Sequence, residues 1–120
     1  MARVFFQYVK NKRILVMDIS NLKNARESEK VIGECEDMIE RLPLKSVLLM
    51  TDVTDSSYDM IGIERLKTFS RNTTPFVLAS AVAGAIDEKK MVIEILERIS
   101  GRKIMPFDSA EDALDYLSSF

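Results

Sequence analysis

The sequence predicts an α/β fold, a mixed and mostly parallel sheet of about five strands with about four helices, in the order ββαβαβαβα. Three features carry that expectation. Val47 to Met50 is an unbroken apolar run closed by Thr51-Asp52-Val53-Thr54, which suits a strand buried on both faces of a parallel sheet. Strand-length segments alternate with stretches whose apolar residues recur at helical spacing, the pattern of crossover connections between parallel strands. The first two strands, Val4 to Val9 and Ile14 to Ile19, are separated only by the polar reversal Lys10-Asn11-Lys12-Arg13. That spacing makes a hairpin, sets the first strand antiparallel to the second and leaves it at an edge.

The remaining elements follow in order. Asn24 with Glu27 is a capping-box signal, and Val31, Ile32, Cys35, Met38, Ile39 and Leu42 then form the inward stripe of a first helix that Pro43 ends. Gly33 interrupts it at a cost of about 1 kcal/mol relative to alanine, through either close packing or simple tolerance. After the central strand, Asp59 is the expected N-cap of the second helix, with Tyr58 and Ile63 placed to form a hydrophobic staple. Met60, Ile63, Leu66 and Phe69 fall on one face of that helix, which ends near Thr73 and Pro75. Phe76 to Ala83 is a third parallel strand, whose small residues admit a closely packed helix in preference to a ligand. In the third helix Met91, Val92, Ile95, Leu96 and Ile99 make the inward stripe, Asp87 is the expected cap and Gly101 the left-handed stop. Arg98, Arg102 and Lys103 gather at its end, where complementing the helix dipole is favoured over an anion site. Lys103 to Phe107 is a last strand, and Asp108 with Glu111 opens a final helix that turns Ala110, Ala113, Leu114 and Leu117 inward.

Composition bounds the function. With 120 residues the chain, 1-120, is expected to form a single domain around one core. A net charge of -2 gives no general attraction to nucleic acid or anionic lipid. The single cysteine, Cys35, lies on the first helix's inward stripe and reads as a small buried hydrophobe, so a cytoplasmic location fits. Neither a secretory signal nor a membrane-spanning segment is expected, because the most apolar window, Pro75 to Ile86, is shorter than the ~20 residues such a helix needs. Histidine is absent, which removes Ser-His-Asp and Cys-His nucleophiles, His-ligated zinc and imidazole acid-base work.

Two clusters could still carry chemistry. Asp18 and Asp52 close neighbouring strands, with Asp55 and Asp59 nearby, but the lysine and paired acids of a phosphoacceptor receiver are missing, so turn and capping roles are expected. Thr51, Thr54, Ser56, Ser57 and Tyr58 form a hydroxyl-rich loop with no base or oxyanion partner, which again reads as turn chemistry. No glycine-rich phosphate loop is present.

With its element order and the stretches Ser46 to Thr54, Ala79 to Gly84, Ser100 to Lys103 and Phe107 to Leu117, the chain resembles the sulfate-transporter and anti-sigma-antagonist (STAS) superfamily. The likeness is to its small stand-alone bacterial members, which are sometimes grouped with lipid-binding SEC14-type domains. Anti-sigma antagonists of that family carry Asp-Ser-Ser-Gly-Leu at the start of the second helix and are switched by phosphorylation of a serine. Here the matching stretch is Asp59-Met60-Ile61-Gly62-Ile63, which keeps the capping aspartate and the glycine but replaces both serines with apolar residues. The resemblance therefore implies a non-enzymatic protein-interaction or regulatory module that lacks the usual phospho-switch, needs no cofactor or metal, and binds a protein partner. The surface expected for this comprises Asp52, Thr54, Asp55, Ser56, Ser57, Tyr58, Asp59, Met60 and Ile61, with Met60 and Ile61 either an exposed patch or buried. The alternative is a small-molecule or lipid carrier with a pocket beside the second helix. The apolar first strand also suits pairing into a homodimer.

Overall fold

In the computed structural model, which describes residues 2–120, the chain folds as β1 (Val4–Val9), β2 (Lys12–Asp18), α1 (Ala25–Ile39), β3 (Val47–Asp52), α2 (Met60–Thr73), β4 (Val77–Ala83), α3 (Lys89–Ser100), β5 (Ile104–Phe107) and α4 (Ala110–Leu117). The five strands make one sheet in the order β1-β2-β3-β4-β5, with β1 antiparallel to β2 and every other pair parallel. Lys10 and Asn11, with φ of 51° and 67°, form the two-residue hairpin turn whose twist matches that of the flanking strands.

Each crossover steps to the next strand in the same direction across the sheet. Right-handed connections then place α1, α2 and α3 on one face. That face buries Leu15, Met17, Leu49 and Val82 of the strands against Ile32 and Ile39 of α1, Leu66 and Phe69 of α2, and Ile93 and Leu96 of α3. The opposite face, with Ile14, Val16, Leu48 and Met50, is covered by Ala113 and Leu117 of α4. β3 sits third of five and is buried from Val47 to Met50, as its apolar run requires. Because the parallel run never reverses direction, the crevice that such a reversal opens in doubly wound sheets is absent.

Several local details differ from the sequence reading. A short 3-10 turn at Thr74–Phe76 precedes β4, which starts at Val77. The register with β3 shifts between Val47 and Leu48, so Leu78 is an extra, exposed residue and the alternation changes phase across it. Val77 thus faces the three-helix side, whereas Ala79, Ala81 and Ala83 lie against α4, the close helix approach that small residues permit. In α3 the buried row is Ile93 and Leu96, while Met91 and Ile95 face solvent. Two apolar rows share that helix, and only packing against the sheet selects one. Asp87 does not cap α3: it occupies a left-handed turn at φ 53°, and Glu88 at the N-cap position makes no side-chain cap. α4 is capped by Ser109, whose hydroxyl accepts from the Asp112 amide at 3.2 Å, and not by Asp108.

Candidate functional site

The carboxyl ends of β2 and β3 lie side by side, with Asp18 opposite Asp52 in the register. Both carboxylates are taken up locally. Asp18 accepts from the Ser20 amide at 3.0 Å and also from its hydroxyl, and Asp52 accepts from the Thr54 amide at 3.0 Å and the Thr54 hydroxyl at 2.7 Å. These are turn-forming bonds, the role short polar side chains commonly take after a strand. Among the described residues no group of three acidic or thiol side chains stands close enough to hold a metal ion.

From Val53 to Asp59 the loop is pinned on both sides. The Asn21 amide donates to the Thr54 carbonyl at 2.9 Å, the Ser57 amide to the Leu22 carbonyl at 3.1 Å, and Lys23 Nζ to the Asp55 carbonyl. On the other side the Val53 carbonyl accepts from Lys89 Nζ at 2.8 Å, and Gly84, at φ 76°, presses against the Thr54 backbone. A Cβ on Gly84 would lie 2.8 Å from both Thr54 N and Cα, so this position requires glycine. Asp55 holds a left-handed φ of 55° at the loop's exposed tip.

The hydroxyls divide sharply. Ser56 is buried, donates to the Val53 carbonyl at 2.6 Å and bonds the Tyr58 hydroxyl at 2.7 Å. Ser57 is exposed but lies two residues before the N-cap, outside the helix. Burial pushes the Tyr58 phenol up to about 12, with the Asp52 charge adding and the Ser56 hydrogen bond opposing. It is therefore a neutral half-buried group at physiological pH, as its packing beside the core requires.

Asp59 caps α2: its carboxylate accepts from the Gly62 amide at 2.9 Å. That fixes Met60 and Ile61 in the first turn, where they are 83% and 71% exposed, so Met60 does not join the inward stripe of Leu66 and Phe69. Gly62 behind them is buried, and a Cβ there would make only ordinary contacts with Asp59 and Tyr58. Exposed Ile86, in the turn before α3, belongs to the same end of the sheet through the Gly84 contact with Thr54.

Beneath α2 and α3, against the sheet, lies a cavity of about 50 Å³ lined mainly by apolar side chains, Leu49, Leu66, Phe69, Ile93 and Leu96 among them. Lys89, Ser80 and Arg102 also reach its wall. The sequence places Arg102 in a basic cluster but gives no signal of its direction, which is set by the left-handed turn at Gly101, φ 71°, and by packing. Cys35 is elsewhere, fully buried in α1, and burial beside Glu34 and Glu36 raises its thiol to about 12, which leaves it protonated and inert. None of the described helices is long and apolar enough to cross a membrane.

Comparison with known proteins matches this geometry at the level of fold. The chain is similar to an uncharacterized protein from the DUF3478 family with a SpoIIAA-like fold, from Shewanella loihica PV-4, at a TM-score of 0.75 and 11% sequence identity, covering 95% of this chain and 91% of that one. No protein-family model and no curated protein matches the sequence. The chain thus has a SpoIIAA-like fold, the fold that the STAS resemblance implies.

Proposed function

We propose that this protein is a non-enzymatic, cytoplasmic STAS-like module that docks a protein partner through the first turn of α2 and the adjoining loop, without a serine phospho-switch. The observation that carries the reading is the exposure of Met60 and Ile61, at 83% and 71%, at a helix start held in place by the Asp59 cap. Two large apolar side chains standing on a rigid turn gain from being covered by a partner, at roughly 25 cal/mol per Å² of apolar surface removed from water. Ser56 is buried and bonded within its own loop, which supports the loss of phosphoregulation.

Capture of partners from lysate by the wild type and by a Met60→Asp, Ile61→Asp double variant tests the docking surface. The variant is expected to lose a partner that the wild type retains, with its thermal midpoint unchanged. Equal capture by both removes the surface from consideration. Incubation with an anti-sigma kinase and ATP is expected to leave Ser56 and Ser57 unmodified by mass spectrometry, and stoichiometric phosphate on either would overturn the claim that the switch is lost. Phe5, Phe6 and Tyr8, exposed on β1, support edge-to-edge pairing of two copies, which sedimentation over a concentration series tests.

The cavity beneath α2 favours a second reading, a carrier for a small, mostly apolar ligand. Native mass spectrometry of protein purified from cells is expected to retain such a ligand if this role holds.

A further inference from the structure

Among the described residues, two charged side chains reach the cavity under α2 and α3, Lys89 and Arg102, and no carboxylate lines it. Lys89 Nζ is hydrogen-bonded, donating to the Val53 carbonyl at 2.8 Å. Arg102 is only partly so. Its Nη1 donates to Thr73 Oγ1 at 3.0 Å, but its Nε is buried with no partner, and no carboxylate pairs with its guanidinium among the described residues. Ser80, 4% exposed, holds a second buried and unpartnered polar atom, its Oγ, on the same wall. Arg102 and Ser80 also line a surface hollow at the amino ends of the strands, which they share with Lys45, Lys103, Tyr116 and Phe120 and which has no acidic side chain among the described residues. They stand, then, between an apolar interior and a basic mouth.

Buried polar groups are ordinarily satisfied, and a desolvated guanidinium without a counter-charge is costly. Burial pulls Arg102 down to about 10, so the group still carries its charge at neutral pH and still lacks an anion. An Arg fork with a neighbouring hydroxyl is a natural receptor for a planar carboxylate. The cavity, at about 50 Å³, has room for only a few carbon atoms.

We propose that this protein binds a short-chain carboxylate, with its head on Arg102 and Ser80 and its hydrocarbon chain in the cavity among Leu66, Phe69 and Leu96. The proposal rests on the carrier reading above and names the class of cargo. No bond is made or broken in this role. The anion arrives through the hollow bounded by Lys45 and Lys103, and its chain displaces no charged group from the interior.

Titrating the isotope-labelled full chain with butyrate, butanol, butylammonium and acetate, followed by NMR, tests this. Butyrate is expected to move the Ser80 amide and the Arg102 Nε–H saturably, with an affinity at least tenfold above that of butanol and of acetate, and with no response to butylammonium. In Arg102→Met the butyrate preference over butanol is expected to vanish while butanol still binds. Should that variant fail to fold, Arg102→Gln and the wild-type affinity ratios decide the matter. Butanol binding as well as butyrate would overturn the carboxylate and leave the carrier reading intact. Acetate binding equally would reduce the site to a plain anion hole, and saturable binding of none of the four would overturn the cargo, while a ligand retained in native mass spectrometry would keep the carrier reading and its absence there would remove that too.

Discussion

Gly33 lies inside α1, where a side chain would meet nothing closer than the flexible end of Glu29 at 3.7 Å. Its presence is therefore tolerance, the alternative that sequence alone left open, and Gly33→Ala is expected to stabilise the fold by about 0.5–1 kcal/mol in urea denaturation. Tyr58 gives a pH-dependent counterpart. Folded, its phenol holds its proton up to about 12, against an ordinary value of 10.0. The unfolded chain loses that proton first, so the Tyr58 contribution is fully present below about pH 10 and is lost as the pH climbs toward about 12. The stability difference between wild type and Tyr58→Phe is expected to shrink across that window, and a flat difference in denaturation series at successive pH values would count against a buried phenol. The surroundings of Gly33 could not be read from residue type, since a glycine inside a helix looks alike whether packed or free, whereas the place of Tyr58 before the cap did point to a packed ring.

At the scale of single elements, some signals that rest on one residue were legible and others, the expected caps Asp87 and Asp108, were not. Asn24 accepts from the Glu27 amide at 3.0 Å, Asp59 caps α2 and Gly101 ends α3 in the left-handed conformation, each as its position in the sequence implies. Asp59→Ala is accordingly expected to cost about 1 kcal/mol, read as a lower thermal midpoint, and to loosen the first turn that presents Met60 and Ile61. What depended on packing was not legible. Met91 and Ile95 fit a helical stripe with Leu96 as well as Ile93 does, and only the sheet beneath α3 buries Leu96 and Ile93 while leaving the other two exposed. The same holds for the candidate surfaces. Met60 and Ile61 could be placed at a helix start from the sequence, but their exposure could not. Ser80 and Arg102, far apart along the chain, line one cavity because β4 and β5 pair with Ser80 opposite Ile104.

At the scale of the whole molecule, the handedness of the crossovers decides how the two faces are defended. β2 to β3, β3 to β4 and β4 to β5 all advance the same way, so a right-handed path commits three helices to one side. The other side must be covered by the one helix that follows the last strand and is free of that rule. α4 has only eight residues, yet Leu117 and Ala113 within it are fully buried against Ile14, Val16, Leu48 and Met50. An eight-residue helix is too short to hold itself together in water, so its contribution comes from packing alone. Leu117→Ala would leave a cavity in a layer with no second helix to close over it, which places the expected loss in the upper part of the range for such truncations, about 3–4 kcal/mol. Against a total of roughly 5–15 kcal/mol for a domain of this kind, that is enough to populate unfolded chain at moderate temperature. An equal truncation of Leu66 on the three-helix side should cost less because three helices lie side by side there and can shift to fill part of the space. Urea midpoints of the two variants check the comparison, and a Leu117→Ala midpoint at or above that of Leu66→Ala would show that the single-helix face is not the weaker one.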